Sequence, residues 1–177
     1  MVTAYVALGA NLGDAVGALK QAVTSINALP NCSVTKTSSL YKTEPLETLP
    51  GHAPGSDYIN AVVEIETSLP APTLLQHLQL IEQAAGRERP HTNAPRTLDL
   101  DLVLYGSGSI DSAHLVVPHP RMWQRAFVLV PLAEIAPELV TDRQLHAIQD
   151  QKVTVFRIFW CFKPMNTCAS SYLICSV

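Results

Sequence analysis

The chain has 177 residues, a formal net charge of −3, 47% apolar residues and only 15% charged ones. That length corresponds to one domain able to bury a real core, and the apolar fraction excludes a disordered chain. The charge balance excludes a general nucleic-acid binder, so an anionic ligand has to be met by local arginines.

The opening "MVTAYVALGANLGD" carries no basic segment ahead of its short apolar run, which argues against a signal peptide. No stretch has the length of a clean transmembrane helix. The expectation is a soluble cytoplasmic protein with no membrane and no nucleic-acid partner. Cys32, Cys161, Cys168 and Cys175 show neither a CxxC pair nor another zinc-ligand spacing, and they give no disulfide framework.

In chain order, "TAYVALG" reads as a first strand and "GANLGD" as a glycine-punctuated turn with Asp14 placed to cap a helix. Val16, Leu19, Lys20, Val23, Ile26 and Leu29 then recur at near-helical spacing, with Pro30 past the end. "CSVTKTSSLYKT" is a second extended stretch. "EPLETLPGHAPGS" holds three prolines and two glycines and reads as a long loop of the kind that binds or covers a ligand. "DYINAVVEIET" is a third strand. Pro72 starts a second helix through Leu75, Leu78, Ile81 and Glu82 to Gly86. "RERPHTNAPR" is a second long loop, bearing Arg87, Arg89 and Arg96.

"LDLDLVLY" follows as a strand, with Leu98, Leu100, Leu102 and Leu104 on one face and Asp99, Asp101 and Val103 on the other. "GSGSID" turns into more extended chain, and "HPRMWQRAFVLVPLAEIAPEL" reads as short helical pieces broken by prolines. The order β-α-β-β-α-β fits an α+β fold, a ferredoxin-like sandwich with an antiparallel sheet and helices on one face. Near residue 152 the composition changes. Residues 1–152 read as the domain, and 153–177 as an apolar, cysteine-rich tail in which "KVTVFRIFW" suits either an added strand or a poorly ordered end.

Asp99 and Asp101 are two anions on one strand face, and their repulsion calls for a cation or a shared proton. Three readings compete: a solvent-facing edge strand, an acid/base dyad, and a magnesium site completed by substrate phosphates. Arg87, Arg89 and Arg96 nearby, with His119 and Arg125 in "VPHPRMWQRAF", add the donors that phosphoryl transfer needs. There is no Walker-type GxxxxGK[ST], and "GANLG" lacks the spacing of a dinucleotide fingerprint.

Those blocks, together with "AYVALGANLGD", "SSLYKTEPL", "DYINAVVEIET" and "IEQAAGRER", resemble the 6-hydroxymethyl-7,8-dihydropterin pyrophosphokinases over roughly residues 3 to 141. The resemblance implies a folate-pathway transferase that moves pyrophosphate from ATP, as co-substrate, to a pterin alcohol and releases AMP. It assigns Asp99 and Asp101 to two Mg2+ ions, with Arg96, Arg87 and Arg89 catalytic beside them. The same three arginines, Gln79, Glu82, Leu102, His119 and Arg125 are implied to meet ATP. Thr43, Pro45, Leu46, Tyr58, Asn60 and Phe127 are implied to bind the pterin, with the rings of Tyr58 and Phe127 on either side of it. The loops 44–56 and 87–95 are implied to close over both substrates, and the default assembly is a monomer. The rival readings are a non-catalytic ferredoxin-like binding module, which leaves the aspartates and arginines unexplained, and a DxD nucleic-acid enzyme, which calls for a wider basic track.

Overall fold

The computed structural model describes residues 1–44, 56–86 and 97–156. β1 (Val2–Ala10) is buried along most of its length because both of its faces are covered. Asp14 caps α1 (Ala15–Asn27), its Oδ1 accepting the Gly17 N–H at 2.9 Å, and the helix buries Leu19, Ala22, Val23 and Ile26 as one stripe. The single extended stretch anticipated next is divided into β2 (Cys32–Thr37) and β3 (Leu40–Thr43). Ser38 makes the break. Its N–H donates to the Val62 carbonyl and its Oγ accepts the Val62 N–H, both at 2.9 Å, so no backbone group of Val62 is left wanting.

β4 (Tyr58–Thr67), α2 (Ala71–Ala84) and β5 (Asp99–Tyr105) complete the β-α-β-β-α-β order. A short hairpin of β6 (Ile110–Asp111) and β7 (Val116–Val117) follows, then α3 (Ala126–Ile135), α4 (Asp142–Ala147) and β8 (Val153–Phe156). The main sheet runs β5-β1-β4-β3-β8, with β2 also on β4, and every pairing in it is antiparallel. β8 pairs with β3, which places Val153–Phe156 in the sheet; residues 157–177 lie outside the described ones.

Helices cover both faces of the sheet, not one. On the first face, Val6 and Leu8 of β1, Val63 and Ile65 of β4, and Leu98, Leu100 and Leu102 pack against α1 and α2. On the second, Tyr5, Ala7, Val62 and Val103 pack against Met122 and against Ala126, Val128, Leu129 and Leu132 of α3. Each large apolar side chain buried in either layer contributes about 1.5–3 kcal/mol. Two expectations change here. Leu104 does not join the other leucines, because Tyr5 pairs with Leu104 while the next residue, Val6, pairs with Leu102. Val103 is the extra residue of this bulge, and past it Leu104 turns to the second core. The prolines also break less than expected: α3 runs through Pro131, whose missing N–H is the one that would reach the Phe127 carbonyl.

Two carboxylates pin α3 to the sheet. Glu64, on the second face of β4, accepts from the Tyr5 hydroxyl at 2.9 Å, Thr35 Oγ1 at 2.8 Å and Lys36 Nζ at 2.9 Å. Lys36 Nζ also donates to the Ile135 carbonyl at the end of α3, at 3.1 Å. Glu134 of α3 accepts from the Ser39 N–H, Ser39 Oγ and the Tyr41 hydroxyl, at 2.7 to 2.8 Å.

Burial opposes ionisation of Glu64, but the hydrogen bonds from Lys36, Thr35 and Tyr5 outweigh it and hold the carboxyl below its usual pKa. With the folded pKa below the unfolded one, this stabilisation is full above the ordinary carboxylate range and is lost as pH falls through the lowered value. Tyr5→Phe should therefore reduce the unfolding free energy in urea by about 1.5–3 kcal/mol at pH 7. The deficit should shrink once Glu64 is protonated; a deficit unchanged to the lowest pH at which the protein folds would contradict the charged bond.

Candidate active site

The second face of the sheet is filled by α3 at one end and carries polar side chains at the other. The register builds that polar end. Gly9 of β1 is opposite Asp99 on one side and Asn60 on the other, and Asn60 is opposite Tyr41. Two residues earlier on the same face of β1, Ala7 lies opposite Asp101 and Val62. With strands about 4.8 Å apart, Asp99 and Asn60 stand about 10 Å from each other across a residue that has no side chain. A Cβ on Gly9 would come within 3.1 Å of Asn60 Oδ1. The backbone of β1 is thus the bare floor of a slot walled by a carboxylate and an amide.

The amide wall is ordered from behind. Asn60 and Thr43 are both buried, and Asn60 Nδ2 donates to Thr43 Oγ1 at 3.0 Å, which fixes the orientation of the amide. Tyr58, two residues before Asn60 on the same strand face, is half-buried next to Thr43 in register. Asn11, buried at the end of β1, donates from Nδ2 to the Ser56 carbonyl at 3.3 Å.

The carboxylate wall carries cations over it. Arg125 Nη1 lies 3.5 Å from Asp101 Oδ2. Its guanidinium carbon sits 5.4 Å from the centre of the Phe127 ring, so the charge also rests on an aromatic face. Both residues belong to the start of α3, and packing against the second core sets where that start lies. His119 is held by its N–H to the Val103 carbonyl at 2.9 Å, which seats the segment on the outer edge of β5. The Arg121 N–H donates to His119 Nδ1 at 3.2 Å. Nδ1 is thus an acceptor, and a neutral ring carries its proton on Nε2. Burial lowers the His119 pKa and Arg125 and Arg121 act in the same direction, against the opposing pull of Asp101 and Asp99.

Asp99 and Asp101 project from one strand face about 7 Å apart along β5, and both are part-exposed. Among the described residues no group of three or more His, Cys, Asp or Glu is placed to hold a metal ion. Two carboxylates alone suit a hard cation that takes its other ligands from water and from substrate phosphates, as magnesium does.

The structure therefore brings together Asp99, Asp101, His119, Arg125 and Phe127 on one side of the slot, and Asn60, Thr43 and Tyr58 on the other. Leu102, implied to meet ATP, has its side chain buried in the first core, on the face of β5 opposite Asp99 and Asp101, as the alternation of the strand predicts. Gln79 and Glu82 are on α2, behind the sheet. Gln79 is exposed, whereas Glu82 is 2% exposed and accepts the Leu100 N–H at 2.7 Å. Pro45, Leu46, Arg87, Arg89 and Arg96, and the loops expected to close, lie outside the described residues. Sequence reasoning missed Gly9 and Asn11, which it took for a turn. A glycine inside a strand pattern signals a close approach to the backbone, and that sign was present in "VALGAN".

The family described as 7,8-dihydro-6-hydroxymethylpterin-pyrophosphokinase matches residues 5–137. A Haemophilus influenzae protein named 2-amino-4-hydroxy-6-hydroxymethyldihydropteridine pyrophosphokinase is 47% identical over 140 residues, 79% of this chain and 85% of its own length. A Bacillus subtilis protein of the same name is 40% identical over 154 residues, 87% of this chain and 90% of its own. Among solved structures, the Plasmodium falciparum HPPK-DHPS in complex with SDX-DHP superposes with a TM-score of 0.59 at 13% identity, which speaks to the fold. The match spans 84% of this chain and only 43% of that longer one.

NMR titration of the ligand-free protein should give His119 a midpoint below that of free imidazole, about 6.5, with the neutral ring protonated at Nε2. A midpoint above it would mean that the two aspartates, not burial, dominate the ring.

Proposed function

The chain belongs to the 7,8-dihydro-6-hydroxymethylpterin-pyrophosphokinase family, and from that membership we propose how its own residues carry out the transfer of pyrophosphate from ATP to 6-hydroxymethyl-7,8-dihydropterin in folate biosynthesis. The observation that carries the reading is the row Asp99–Gly9–Asn60 across the second face of the sheet. The row supports a reading in which the Asp99 end of one bare strip of backbone faces phosphates and the Asn60 end faces the heterocycle.

The pterin lies flat in the slot over Gly9, with Asn60 reading its polar edge and Thr43 holding the Asn60 amide in place. Tyr58 and Phe127 stack on the ring, each adding about 0.5–1.5 kcal/mol beyond the area buried. Pro45 and Leu46 join them from the loop. ATP lies along the other wall with its phosphates beside Asp99 and Asp101. Those two carboxylates hold the magnesium, two ions in this reading, which when bound neutralises charge on the phosphate oxygens.

Arg125 is already seated beside Asp101 and grips a phosphate oxygen without needing to be recruited. His119, with Nδ1 engaged, presents Nε2–H as a neutral donor to another. Arg87, Arg89 and Arg96 supply further positive charge, and Gln79 meets the nucleotide from the exposed surface of α2. The hydroxymethyl oxygen attacks the β-phosphorus in line. The new O–Pβ bond forms as the bridge to the α-phosphate breaks, AMP leaves, and the hydroxyl proton passes to water or a phosphate oxygen. No side chain has to act as a strong base, since positioning and charge neutralisation lower the barrier.

The reading places the protein in the cytoplasm. No helix among the described residues is long and apolar enough to cross a membrane.

Phosphorus NMR with ATP, magnesium and the pterin alcohol tests the reaction directly. Wild type should give AMP and a pterin diphosphate, and Asp99→Ala should slow both by more than about 100-fold. Formation of ADP instead of AMP would refute attack at the β-phosphorus. Gly9→Val probes the slot. It should weaken pterin binding in calorimetry by at least about tenfold, a loss near 1.4 kcal/mol, while leaving ATP binding close to wild type; equal loss of both ligands would remove the pterin from the floor of β1.

A further inference from the structure

α3 starts on a residue that cannot cap it. A helix N-terminus is stabilised by a side-chain oxygen that accepts one of its first free N–H groups, and positive charge there is unfavourable. Arg125 stands at this position. Its guanidinium only donates, and its side chain makes no capping bond.

The missing acceptor comes from Gln151, far along the chain between α4 and β8. Gln151 Oε1 accepts the Ala126 N–H at 2.9 Å, and Gln151 Nε2 donates to the Gln124 carbonyl at 2.8 Å. One primary amide thus pairs with the backbone on both sides of Arg125, as a neighbouring strand would. Both ends of the amide are used, which fixes the way it points.

Gln151 is itself held. Its N–H donates to the carbonyl of Ile148 at 3.0 Å, and Ile148 is buried in the second core. Two residues on, Val153 is opposite Thr43 in the pairing of β8 with β3. The backbone of Arg125 is committed as well: its N–H donates to the Met122 carbonyl at 3.2 Å, and its carbonyl accepts from the N–H groups of Val128 and Leu129 at 3.1 and 3.0 Å. With its flanking groups fixed by Gln151, Arg125 has little freedom in the direction its side chain leaves the chain. That direction brings Nη1 to 3.5 Å from Asp101 Oδ2.

We propose that Gln151 is a positioning residue that aims Arg125 at the phosphate-bearing end of the site while touching no substrate itself. A guanidinium aimed in advance binds an anion without first being ordered, so its contact is stronger. This rests on the reading of Arg125 as a phosphate contact.

The test is a cycle of four full-length proteins: wild type, Gln151→Met, Arg125→Met and the double variant. Calorimetry gives the affinity of each for α,β-methylene-ATP in excess magnesium, and hydrogen exchange of the Ala126 amide reports the clamp in the ligand-free proteins. Gln151→Met should exchange faster at Ala126 and bind the nucleotide about three- to tenfold more weakly. Arg125→Met should lose about tenfold or more. The double variant should bind no more weakly than Arg125→Met, because without the guanidinium nothing is left to aim.

Losses that multiply in the double variant would overturn the proposal, since a general disturbance of the site does not depend on Arg125. A Gln151→Met that binds like wild type while Arg125→Met is weakened would overturn it too. Wild-type affinity in Arg125→Met would instead refute the phosphate reading of Arg125, and this inference with it. If Gln151→Met does not fold, Gln151→Asn takes its place in the cycle and decides by the same comparison. It keeps the amide but is one methylene too short to meet both backbone groups.

Discussion

Among the described residues β1 is the one strand that touches both halves of the candidate site, and its pairing with β4 on one side and β5 on the other decides almost everything else. The antiparallel register sets Gly9 between Asp99 and Asn60. Shift either partner by one residue and the carboxylates or the amide turn to the opposite face. The register in turn is held by what β1, β4 and β5 bury on the first face, where Leu8, Ile65, Leu98 and Leu100 pack into one apolar core. Burial on one side of the sheet therefore positions the chemistry on the other.

The second face is built differently, and the difference matters for function. A core that filled it completely would leave no site, and one that left it empty would leave α3 unanchored. The chain resolves this by covering half the face. Apolar residues of α3 and Met122 seal one end, and the buried carboxylate of Glu64 and the exposed one of Glu134 tie the far end of α3 to β2, β3 and β4 through hydroxyl and ammonium donors. A buried acid is unfavourable unless fully partnered, and Glu64 has three donors. Arg125 and Phe127 at the opposite end of the same helix inherit that rigidity, which is why a cation can sit near Asp101 before any substrate arrives.

The edge strand is the weak member of this arrangement. Among the described residues β5 has a paired strand on one side only, and it carries two like charges and contains a bulge. Its free edge is met by backbone at Val103 and by a side chain at Leu100. Ion pairs such as Lys42–Asp57 at 2.6 Å and Lys152–Glu44 at 2.7 Å lie on the far side of the sheet, where exposure limits what they add. Stability is concentrated in the centre, and the Asp99 and Asp101 carboxylates sit where it thins.

Much of this was legible in the chain itself. Alternation in "LDLDL", the capping position of Asp14 and the helical stripe of Leu19, Val23 and Ile26 are local patterns with a period, and a period survives without tertiary context. The resemblance to pterin pyrophosphokinases rested on the same kind of local blocks. Other features have no local period. The face that Leu104 takes depends on a bulge defined by its partner strand, and the passage of α3 through Pro131 depends on a core able to hold a helix short of one hydrogen bond. The role of Gly9 depends on what two distant strands place beside it. A sequence specifies side chains and their spacing along one strand; which residues stand across from them is decided only when the sheet is assembled, because register is a property of pairs.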